Sequence, residues 1–234
     1  MKWTDYCDKI YCIHCANYTD RMQGLESEFR RVGIWDSGIL EIKVNYKNPV
    51  DDFLKSMTGV NPCSLCMPLF IESYRILSEA KYKKLNRIAI IEDDVRFLKD
   101  QNKISSILDA MPEDYHCYQF SKISCKSPKV AENWERCKND CINDFFVRGD
   151  GREIWSGAFY ILSSEGISQL LEIMSHNARN PDGLFHLMSK VAISKDDVVI
   201  QKPLKNSVRG DKWSLASMSP DKDIFGTRIA DFES

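Results

Sequence analysis

The sequence predicts an α/β sandwich with a mainly parallel central sheet, and three observations carry that expectation. Strand-like and helix-like stretches alternate along most of the chain. The run "RIAII" (Arg87–Ile91) is uninterrupted and β-rich, the pattern of a strand buried on both faces. The 234 residues, 43% hydrophobic and 28% charged, suffice for one sizeable α/β domain or for one domain plus an extension.

Taken in order, "KIYCIHC" (9–15) reads as the first strand. A helix follows, with Met22, Leu25, Phe29 and Val32 at helical spacing, Thr19 as N-cap and Gly33 at the stop. "ILEIKVNY" (39–46) alternates as a strand, with Leu40, Ile42, Val44 and Tyr46 on one face. A short helix is expected over 51–57, and a longer one opens at Pro68 and runs to about Leu85. After "RIAII" come a helix near 103–111, a strand "YHCYQF" (115–120) and a long polar loop over 121–152. "WSGAFYIL" (155–162) is another strand and "SSEGISQLLEIM" another helix. "DGLFHLMSKV" and "DVVIQKP" supply a last helix and strand. The domain is expected to span 1–204, with a polar tail over 205–234.

Thirty-two Lys and Arg against 34 Asp and Glu leave a net charge of −2, which gives no basic field for nucleic acid. No apolar run reaches membrane-spanning length, and Asp5, Asp8 and Lys9 break any signal-peptide core, so a cytoplasmic location is expected. Nine cysteines without an export signal are expected as reduced thiols, most of them small buried hydrophobes. Cys117, Cys125, Cys137 and Cys141 are near enough in sequence to pair on oxidation. Two C-x-x-C pairs, Cys12/Cys15 and Cys63/Cys66, keep open a zinc-stabilised interaction module.

The feature that needs explaining is the acidic triplet Glu92-Asp93-Asp94 directly after "RIAII". Ligands in such sheets meet the carboxyl ends of the strands. With a two-residue period Glu92 and Asp94 project to one side and Asp93 to the other. Two converging carboxylates suit a hard cation, Mg²⁺ or Mn²⁺; a solvated acidic turn is the plain alternative. A receiver-domain reading of "IAIIEDD" fails, because Asp140 and Asp144 lie in "RCKNDCINDFF", which is no apolar strand.

Several segments together resemble glycosyltransferase family 25, the group of lipopolysaccharide and collagen galactosyltransferases. Ile13-His14-Cys15-Ala16-Asn17-Tyr18-Thr19-Asp20-Arg21 falls in the frame of the family's I-N-L-x-R-R-x-D-R segment, keeping Ile13, Asp20 and Arg21. "GVNPCSLCMPLF" looks like its G-C-x-x-S-H segment, with Cys66 and Met67 where Ser-His is usual. "IAIIEDDV" matches its hydrophobic strand with E-D-D-V, "WSGAFYILSSEGISQLL" resembles a strand–helix through Gly157, Tyr160, Ser163 and Gly166, and "PDGLFHLM" resembles a segment where an Asp opens a helix. The resemblance implies a GT-A type fold, a nucleotide-sugar donor (typically a UDP-sugar), Mn²⁺ or Mg²⁺, a glycan or protein-linked hydroxyl acceptor, and transfer with inversion.

On that frame Asp94 is the expected metal ligand, with Glu92 as second ligand or acting through water. Asp93 is expected on ribose or donor sugar, Arg21 on phosphate or base, Tyr18 stacked on the base, and Ile13, His14, Asn17 and Asp20 along the nucleotide. The base that deprotonates the acceptor is expected at Asp182, with Asp150 and Glu153 as alternatives. An N-cap for Asp182 and a surface salt bridge from Arg21 to Asp20 or Glu26 are the corresponding structural roles. Trp134, Trp155 and Trp213 offer aromatic faces for sugar stacking, with core packing the expected role of Trp155. The missing Ser-His pair keeps open a second function class, a sugar-nucleotide-binding relative without turnover.

Overall fold

The computed structural model describes residues 1–15, 20–45, 67–121, 128–152, 154, 157–177 and 181–201. Its centre is a seven-stranded sheet in the order β2-β1-β3-β7-β5-β8-β6. β1 (Lys9–Cys15), β2 (Leu40–Asn45) and β3 (Arg87–Glu92) run parallel to one another. β7 (Phe159–Ser163) lies antiparallel to β3 and to β5 (Cys117–Gln119), β8 (Val191–Ser194) is parallel to β5, and β6 (Phe146–Arg148) closes the far edge antiparallel to β8. Five strands therefore share one direction and two are reversed. A second, two-stranded sheet pairs β4 (Val95–Phe97) with β9 (Val199–Gln201), antiparallel.

Alternation along β1 and β3 sends side chains into two cores, one on each face. Tyr11, Ile13, Ile88 and Ile90 pack under α2 (Met67–Tyr82) and α5 (Ser164–His176). Ile10, Cys12, Ala89 and Ile91 pack under α1 (Asp20–Arg31), α3 (Gln101–Asp109) and the small sheet. "RIAII" is thus buried on both faces, as its composition predicts. The Gly33 stop is real: its φ of +74° is left-handed backbone, favourable to glycine. Gly166 has a packing reason, since a Cβ there would stand 1.9 Å from the His116 carbonyl oxygen, so α5 can lie on β5 only without a side chain.

Three expectations need correction. The polar stretch 121–152 holds α4 (Pro128–Lys138) and β6; Trp134 and Cys137, three residues apart, fasten the helix to the core. Trp134 is therefore a core residue rather than a sugar-stacking face. "DGLFHLMSKV" forms two 3-10 turns, Pro181–Gly183 and Phe185–Leu187, and then enters β8. The strand expected from residue 155 is assigned from Phe159. The helix expected over 51–57, Thr19, Tyr46, Trp155, Trp213 and the tail lie outside the described residues.

Candidate functional site

β1 and β3 are adjacent and parallel, so His14 and the acidic triplet arrive at the same sheet edge. β3 ends at Glu92, and Asp93 and Asp94 form a turn that leads into β4, whose Val95 and Phe97 are buried. The turn breaks the two-residue period. Asp93 is 5% exposed and its two oxygens face different partners: Oδ1 accepts from Arg21 Nη1 at 2.7 Å, and Oδ2 lies 2.7 Å from His14 Nδ1. A carboxylate oxygen only accepts, so in this pair His14 Nδ1–H is the donor. Arg21 Nη1 also stands 3.8 Å from Asp94 Oδ2. Asp93 and Asp94 thus share a cationic neighbour, whereas the pleat expectation paired Glu92 with Asp94.

Arg21 differs from its expected structural role as well. It is 8% exposed and reaches the carboxylates at the end of β3, while Glu26 accepts from Arg30. A guanidinium between two crowded carboxylates offsets the repulsion that the bare sequence implies.

Glu92 follows Ile90 by two residues and shares its face, the one opposite Asp93, beside its register partner Ile13. There a small pocket opens, walled by Leu69 and Ser73 of α2, by Gly157 just before β7 and by Tyr160 within it. Pro181, in the turn that carries Asp182, completes it. Sequence reasoning missed Ser73, which stands four residues from both Leu69 and Leu77 on the helix stripe, a polar interruption that was readable. Gly157 and Tyr160 had been singled out for pattern alone.

Asp150 must be moved away from this edge. Its Oδ1 accepts from the backbone N–H of Val191 at the start of β8, and β8 runs parallel to β5, so the contact lies at the opposite end of the sheet from Glu92. Its role there is to hold the β6–β8 junction. Glu153, Asn17 and Tyr18 lie outside the described residues, as do the side chains of Asp20 and Asp182.

Among the described residues no three His, Cys, Asp or Glu side chains cluster so as to hold a metal ion. Cys12 is fully buried, and its thiol is pushed well up by burial and by Asp93, Asp94 and Glu92, which keeps it neutral. Cys7, Cys117 and Cys137 are likewise buried free thiols, and Cys141 is exposed. No helix among the described residues is long and apolar enough to cross a membrane.

No family model matches the sequence, and no curated protein matches it. Several solved structures are similar in fold. Mouse xyloside xylosyltransferase 1 is 9% identical, covering 76% of this chain and 80% of its own, with a TM-score of 0.41. The galactosyltransferase LgtC with donor and acceptor sugar analogs is 9% identical, covering 79% and 72%, with a TM-score of 0.43. A cytidylyltransferase from Leptospira borgpetersenii is 12% identical, covering 83% and 81%, with a TM-score of 0.41. Likeness at this level says nothing about which residues act.

Proposed function

We propose that this chain is a glycosyltransferase of GT-A type that moves a sugar from a nucleotide-sugar donor, a UDP-sugar, to a hydroxyl of a glycan or glycoprotein. The observation that carries the reading is the convergence of Asp93, Asp94, His14 and Arg21 at the carboxyl edge of β1 and β3, with Glu92 at the end of the same strand, where α/β sheets meet their ligands. The sequence resemblance described above supports it independently.

Asp93 is committed to Arg21 and His14, so the oxygen donors for a cation are Asp94 and, directly or through water, Glu92. Two carboxylates are a hard donor set of the kind that holds Mg²⁺ or Mn²⁺ together with substrate phosphates and water. When bound, the cation offsets the charge that develops on the departing diphosphate. Arg21 and His14 hold Asp93, and with it the turn between β3 and β4, in place.

Asp182 remains the proposed base, next to Pro181 of the Glu92 pocket. It takes the proton from the acceptor hydroxyl as that oxygen attacks the anomeric carbon opposite the leaving group, which gives inversion. Asp182→Asn should reduce turnover, read as UDP release from a UDP-sugar with Mn²⁺ and acceptor, by at least about a hundredfold while donor affinity stays within about twofold. Undiminished turnover in that variant would remove Asp182 from the role. Absence of metal-dependent UDP binding by the wild type would remove the reading itself.

A further inference from the structure

We propose that Ser73 and Glu92 form a subsite for one hydroxyl of the donor sugar; the proposal rests on the nucleotide-sugar reading above. Ser73 is 0% exposed, and its Oγ has no hydrogen-bond partner among the described residues. Helical serines commonly return their hydroxyl to the carbonyl four residues back. Here that bond is not made, although Ser78 on the same helix makes it, to the Tyr74 carbonyl at 2.8 Å. A buried hydroxyl left unpaired is destabilising, and a bound partner recovers that loss.

The pocket that Ser73 lines has Glu92 in its wall and apolar surface from Ile13, Leu69 and Ile90. Its cavity measures about 10 Å³, close to the room one water-sized group needs. A sugar hydroxyl is such a group. It can donate to a carboxylate, which only accepts, while taking or giving a second bond at the serine, which does both. Position favours the donor: Glu92 stands two residues before Asp94, and the donor sugar is bonded directly to the diphosphate that Asp94 would serve. A lone structural water is the competing occupant.

The test compares UDP with UDP-glucose and UDP-galactose, each with Mn²⁺, on wild-type protein, Ser73→Ala and Ser73→Val. The proposal expects Ser73→Ala to leave UDP affinity within about twofold and to weaken at least one UDP-hexose about fivefold, the loss of one hydrogen bond to a neutral group. Ser73→Val, which also fills the cavity, should weaken that UDP-hexose further. Without ligand, Ser73→Ala should melt at or above the wild-type temperature, because it removes an unpaired buried hydroxyl. UDP-hexose affinities unchanged in both variants would mean that the cavity holds water only, and would overturn the subsite. Equal weakening of UDP and UDP-hexose would overturn it too. Wild-type protein that binds neither UDP nor a UDP-hexose sinks the nucleotide-sugar reading and the subsite with it. Binding by the wild type without discrimination by either variant sinks the subsite alone.

Discussion

Asp93 is a buried carboxylate whose oxygens meet Arg21 on one side and His14 on the other. A buried ion pair adds modest net stability, yet removing one member strands the other charge away from water. Arg21→Met should therefore cost about 3 kcal/mol in urea unfolding, far beyond the cost of removing a surface arginine. A loss under about 0.5 kcal/mol would mean that the pair is solvated and does not anchor the turn. None of this was legible in the sequence. Arg21 and Asp93 are 72 residues apart, and the local neighbours Asp20 and Glu26 offered themselves as partners. The triplet itself was legible, because three carboxylates after a fully apolar strand have no place in a core. How they divide between the two faces was not, since the turn at Asp93 breaks the strand period.

Among the elements, strands and helices with a long apolar pattern were readable: β1, β2, β3, α1, α2 and α5 fall close to where spacing puts them. Three-residue strands such as β4 and β6 carry too short a pattern to read. α4 was hidden by its polarity, although Pro128 at its first position was an available start signal. The 3-10 turns after Pro181 mimic helical spacing through Leu184, Phe185 and Met188, all buried, but the chain is already turning into β8. One interaction between elements gives a pH dependence. Glu79 of α2 accepts from Lys43 of β2 at 2.7 Å and from Lys83 at 2.6 Å, and these bonds lower its carboxyl from the ordinary 4.5 to about 2. Its folded value is depressed, so its contribution is complete above about pH 4.5 and is lost as pH falls toward 2. Solvent screening limits that contribution to about 1 kcal/mol. The melting-temperature gap between wild type and Glu79→Gln should be widest near pH 6, narrow below about pH 4.5 and close as pH nears 2. A gap that persists unchanged to pH 2.5 would show that the glutamine loses packing rather than charge.

Over the whole molecule, the chain's direction through the sheet decides what gathers where. Parallel β1 and β3 bring His14, Glu92, Asp93 and Asp94 to one edge, the reversed β7 brings Gly157 and Tyr160 to that edge, and β8 starts at the other, taking Asp150 with it. The central claim is that this edge binds a nucleotide diphosphate through a divalent cation held by Asp94. Its most direct measurement is the melting temperature of wild type and Asp94→Asn with UDP alone, Mn²⁺ alone and both together. The wild type should be stabilised only by the two together, by about 2.7 kcal/mol when UDP is at a hundred times its dissociation constant. Asp94→Asn should melt near the wild type without ligand, since Arg21 keeps Asp93 as its closer partner, and should lose the joint stabilisation. Full stabilisation by UDP without Mn²⁺, or an Asp94→Asn protein that melts lower yet keeps the joint shift, would contradict the claim.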